Sequence, residues 1–96
     1  MLQQVTIKTK RKTTLRPIVL SALENEKRML SLGLSQTRRR LAEFEQQHGM
    51  ASDECERRLN SGELDETVSF TDWRMEIGML RLLERQYEAL IDATID

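Results

Sequence analysis

His48 and Cys55 are the sole histidine and cysteine of the 96-residue chain. Seven residues apart across a predicted helix end, they offer two candidate zinc ligands where a closed structural site needs four. No metal and no cofactor is expected. No Ser or Cys stands with His or Lys in a known nucleophile motif, and no Gly-rich phosphate loop occurs. Carboxylates are abundant, but Asp53 with Arg57, Glu54 with Arg58, Glu24 with Arg28 and Arg39 with Glu43 fall at i,i+4. That is the spacing of solvated pairs on a helix face. No catalytic residue is assigned, and an enzyme is not expected.

Cations are the remaining candidates for chemistry. Arg38, Arg39 and Arg40 are consecutive, so on a helix they spread over about 200° and form no flat patch. Lys8, Lys10, Arg11 and Lys12 are the denser cluster and the candidate nucleic-acid contacts. With the strand-like Gln4–Thr9 stretch before them they suggest the DNA-reading ribbon of ribbon-helix-helix repressors. That arrangement needs a break at Ser31-Leu32-Gly33-Leu34-Ser35, yet the apolar seam runs on in phase, so a continuous helix is predicted. Up to Met50 the chain holds 10 basic and 4 acidic residues; from Ala51 it holds 5 and 12. Halves of opposite sign, laid side by side in a hairpin, are expected to neutralise each other.

The elements follow from periodicity. Gln4–Thr9 alternates with β-branched residues and reads as one short strand. A lone strand is unstable in water, so it must pair with a partner's sheet, pair with its counterpart in a dimer, or stay disordered. Thr13 or Thr14 is the expected cap of a first helix, about 15–48, with Pro17 in its first turn. Its seam is Leu20, Leu23, Lys27, Leu30, Leu34, Thr37, Leu41, Phe44 and His48, and Gly49 should end it. Ser52 should cap a short helix, about 53–60. Thr67 or Ser69 should cap a third, about 68–94, with a seam through Phe70, Trp73, Ile77, Leu80 and Tyr87. The fold class is all-α: a long antiparallel hairpin with a short intervening helix (15–96) behind an N-terminal strand or basic arm (1–14). Folding back places Phe44 near Trp73, Leu41 near Ile77, Leu30 near Tyr87 and Arg40 near Glu76. It also places Lys27 or Arg28 near Glu88 or Asp92.

The stretches Leu30-Ser31-Leu32-Gly33-Leu34, Leu41-Ala42-Glu43-Phe44-Glu45, His48 to Glu54, Ser61-Gly62-Glu63-Leu64-Asp65 and Phe70-Thr71-Asp72-Trp73 occur in this order. Their order and spacing resemble small prokaryotic helical proteins encoded beside a toxin gene, the antitoxins of TumA-like type paired with TumE-like toxins. The pattern departs at His48, Cys55 and Leu59, where that family carries aromatic residues. The resemblance implies neutralisation of a cognate toxin, with a ribonuclease as the candidate class, by tight binding.

Hydrophobic residues make up 39% of the chain, enough for helix seams and thin for a self-sufficient core. The residues themselves therefore read as an interaction module. The expected partner-binding residues are Val5, Ile7, Leu20, Leu23, Leu30, Trp73 and Tyr87. A homodimer or hetero-oligomer is expected because the first seam outruns the second helix. The alternatives are a DNA-binding autorepressor using the basic strand on operator DNA, and a structural helical adaptor with no toxin. One cysteine suits a reducing compartment, and no apolar run approaches a membrane span, so a soluble cytoplasmic protein is expected.

Overall fold

The computed structural model describes residues 3–95. Its order is β1 (Gln3–Val5), α1 (Lys12–His48), α2 (Ser52–Ser61), α3 (Val68–Ile91) and β2 (Ala93–Ile95). The molecule is an all-helical hairpin drawn out into a rod of 59 × 22 × 19 Å, with α1 and α3 as its arms.

α1 begins earlier than its capping residues suggest. Arg11 holds the N-cap position and makes no side-chain cap bond. Pro17 therefore lies in the second turn, where its missing N–H removes the i+4 donor for the Thr13 carbonyl. The helix runs through Gly33 without a break. A Cβ at Gly33 would meet the Leu83 side chain at an ordinary 3.5 Å, so the helices do not need glycine there to pass. Gly49 ends α1 in the left-handed region at φ 64°, and its N–H donates to the Glu45 carbonyl at 2.9 Å. A residue with a Cβ is strained in that conformation.

α2 is capped differently from expectation. Ala51 is the N-cap, and the Ser52 N–H donates to the Glu45 carboxylate of α1 at 2.7 Å. Gly62, at φ 80°, ends the helix. Thr67 caps α3 as expected, its hydroxyl accepting from the Phe70 N–H at 3.2 Å. α3 stops at Ile91, three residues short of the expected end, because Ala93–Ile95 leaves as a strand.

That strand corrects the reading of the N-terminus. β1 pairs in parallel with β2 of the same chain, in register Gln3–Ala93, Gln4–Thr94 and Val5–Ile95. Its strand partner within the chain is the C-terminal segment, because the two chain ends meet at the open end of the hairpin. The extended segment is also shorter than the alternation suggested.

The core sits at the closed end. Leu41, Cys55, Leu59, Trp73 and Ile77 form one buried cluster, with Phe44, Met50, Leu64, Phe70 and Leu80 packed against it. Farther along the rod Leu30, Leu34 and Thr37 are buried on α1. Thr37, polar but on the seam, fills a core position at 2% exposure. Arg40 and Glu76 pair between α1 and α3 at 3.2 Å, as the register requires. Lys27 and Arg28 have hydrogen-bond partners on α1 itself, Glu24 at 3.1 Å and Asn25 at 3.5 Å.

Candidate partner-binding surface at the open end

β1 and β2 pair where the two chain ends meet. Residues of both strands, of α1 and of the end of α3 line an open groove of about 450 Å³. Val5 and Ile7 line it from the N-terminal segment, Val19, Leu23 and Leu30 from α1, and Leu90 and Ala93 from the end of the chain. Glu26, Gln86 and Ala89 complete the wall. Apolar side chains so arranged lose water-exposed surface only when something else enters, which is the mark of a binding groove.

Four of the seven residues singled out in the sequence for partner binding meet here: Val5, Ile7, Leu23 and Leu30. Leu20 is exposed and is not part of the lining, and Tyr87 is half-buried on α3, also outside it. Trp73 is fully buried at the opposite end of the rod and offers no surface to a partner. Its ring stacks on Phe44 at 5.6 Å and on His48 at 5.3 Å. Its indole N–H donates to the Ser52 hydroxyl at 2.9 Å. Trp73 is therefore an internal anchor. Val19, Leu90 and Ala93 were not marked as site residues. Ala93 in particular depends on β2, for which the only signal was three residues after a helical pattern.

Lys8, Lys10, Arg11 and Lys12 are all exposed, in the segment joining the groove residue Ile7 to the first turn of α1. The Arg11 backbone N–H donates to the Thr9 hydroxyl at 3.2 Å, which orders the bend between strand and helix. Cross-neutralisation of the two halves is limited. Arg40–Glu76 joins them, whereas Arg57, Arg58, Arg74 and Arg81 find carboxylates within the second half. The basic segment thus retains its field at the open end.

The closed end brings together the residues with other chemistry, and its geometry is that of packing. His48 lies 3.2 Å from the Ser69 hydroxyl and against Phe70 and Trp73. Cys55 is fully buried, and desolvation pushes its thiol pKa up. Burial thus disfavours the nucleophilic thiolate. Among the described residues no three His, Cys, Asp or Glu side chains converge as a metal site. Among them, too, no helix is long and apolar enough to cross a membrane.

Comparison of the chain with protein-family models, with curated proteins and with solved structures returns no match.

Proposed function

We propose that the chain is a cytoplasmic, antitoxin-like binding protein that neutralises a cognate toxin by tight protein–protein interaction. The observation that carries this reading is the apolar groove at the open end, built by both chain ends and both long helices. A partner inserts an apolar helix face or loop into it, the helix-in-groove mode of recognition. The exposed cations of residues 8–12 border the groove and steer a partner of acidic surface towards it. The ordered resemblance between Leu30 and Trp73 to TumA-like antitoxins supplies the identity of the partner as a toxin, in keeping with a ribonuclease.

A DNA-binding role is a second reading, favoured by the exposure of Lys8, Lys10, Arg11 and Lys12. A ribbon-helix-helix dimer is a poor frame for it, since β1 is already paired within the chain and α1 is unbroken. Cation contact with operator phosphates needs neither feature.

The test is expression of the neighbouring reading frame alone and together with this chain. Growth arrest in the first case and rescue in the second support the proposal. Absence of arrest, or arrest that the chain does not relieve, contradicts it and leaves the structural-adaptor reading.

A further inference from the structure

The two broad faces of the hairpin differ. On one, α2 lies against Leu41 and Leu80, with Ser52 and Asp53 meeting Arg38 and Glu45. On the other, no described residue outside α1 and α3 lines the open depression between the rods. Arg40, Glu43 and Gln47 of α1 share that side with Asp72, Met75 and Glu76 of α3, around an open depression of about 550 Å³. Met29 precedes Arg40 by eleven residues, three helical turns, and so lies on the same face. On α3 the same stripe continues from Met75 at i+4 and i+7 to Met79 and Leu82. Met29 is 57% exposed, Leu32 53% and Met75 68%. These are large values for side chains so apolar.

A surface excess accompanies this bare face. The chain exposes 7156 Å², against roughly 5,700 Å² for a compact monomer of its mass. The surplus is of the order that one chain buries in a stable homodimer, about 1,000 Å² or more. A two-helix hairpin with one uncovered face is half of a four-helix bundle.

The register identifies what completes it. Gly33 faces Leu83, and Arg40 faces Glu76, so these residues sit at equal heights on neighbouring rods. A two-fold axis parallel to the rods lays α1 of one copy over α3 of the other at the same heights. Leu32 then meets Leu82 across the axis, within about one turn. Arg40 of the partner subunit meets Glu76. Glu76 has a use for it, because its Oε1 accepts from Arg40 at 3.2 Å while its Oε2 is buried with no hydrogen-bond partner. A buried carboxylate oxygen left unpaired is costly.

We infer that the face of Met29, Leu32, Met75, Met79 and Leu82 is a homodimer interface, in which Arg40 and Glu76 pair between copies as well as within each copy. Methionines suit such a face, since flexible thioethers fill irregular gaps.

The experiment is sedimentation equilibrium of the full chain alone, which depends on no toxin. The expected mass is twice the 11.2 kDa of the chain. Leu82→Lys, and independently Leu32→Lys on the other helix, should weaken association at least about tenfold with unchanged helical circular dichroism. Arg40→Glu and Glu76→Arg should each weaken the dimer alone. Mixed together they should re-associate, because the mixed dimer restores both pairs between copies while the pair within each copy stays broken. A monomeric wild-type chain, undiminished association of both lysine variants, or a mixture no more associated than its components would overturn the inference.

Discussion

The indole N–H of Trp73 donates to the hydroxyl of Ser52 at 2.9 Å, tying α3 to the first residue of α2. The same ring stacks on Phe44 of α1, so one side chain holds all three helices. Trp73→Ala should cost ~3–5 kcal/mol, which rivals the entire stability of a chain this small. Trp73→Phe keeps the stacking, loses the hydrogen bond, and should cost about 1 kcal/mol. Urea titrations followed by circular dichroism measure both; an unchanged midpoint for Trp73→Ala would contradict the three-helix junction.

Cys55 reports on the opening of that junction. Fully buried with a raised thiol pKa, it should react with a thiol reagent far more slowly than a free cysteine at neutral pH. Adding denaturant below the main transition should not restore the rate, because the cluster opens only on global unfolding. Rapid labelling of the native protein would contradict the packing.

Acid should act first on α2. Hydrogen bonds from Arg57 and Arg58 hold the Glu54 carboxyl at about 2, and the Arg81 guanidinium lowers that of Glu56. A carboxyl whose folded pKa is depressed contributes stability above its unfolded value, and that contribution is lost as pH falls through the folded value. The expected outcome is a melting temperature flat near neutrality that declines between the ordinary carboxylate range and about 2. Glu54→Gln should flatten part of that decline, by a modest amount because these pairs are solvent-exposed.

Gly33 lies mid-helix with only ordinary contact distances around a hypothetical Cβ. Gly33→Ala should therefore raise stability by about 0.5–1 kcal/mol, through helix propensity and a less disordered unfolded chain. Destabilisation would mean that the Leu83 side chain cannot give way.

Much of the hairpin was legible before its structure because burial imposes periodicity. Leu30, Leu34, Leu41, Trp73 and Ile77 all lie on the seams read from spacing, and all are buried. The Arg40–Glu76 pair followed from the register those seams fix. What escaped was decided by contacts between distant segments. β2 is three residues long and gains meaning only beside β1. Ser52 looks like a helix cap, yet its hydroxyl serves Trp73, and the N–H of its own turn goes to Glu45. Trp73 was read both as a seam residue beside Phe44 and as a partner contact; the first reading matches its burial and its stacking on Phe44, and the second does not. Part of the groove was visible as Val5, Ile7, Leu23 and Leu30. The rest comes from Val19 and Glu26 on α1, from Gln86, Ala89 and Leu90 at the end of α3, and from Ala93 in β2, whose exit from helix no local pattern announced.

Removing residues 1–12 takes away β1, Val5, Ile7 and the basic segment together. Binding of the product of the neighbouring reading frame should fall sharply. If the cations also contact operator DNA, that affinity should fall with salt by roughly one log unit per log unit of salt for each phosphate contacted. Contact with an acidic protein surface should instead show mainly as slower association at high salt. Full-strength binding of both by the truncated chain would confine function to the helices.

The most direct measurement is a calorimetric titration of the neighbouring frame's product into the wild-type chain and into a Leu23→Glu/Leu90→Glu variant of preserved helicity. Both leucines line the groove, and two buried charges there would repel an apolar insert. The account predicts tight binding by the wild type and a loss of at least about a hundredfold in the variant. Equal affinity for the two chains would contradict it.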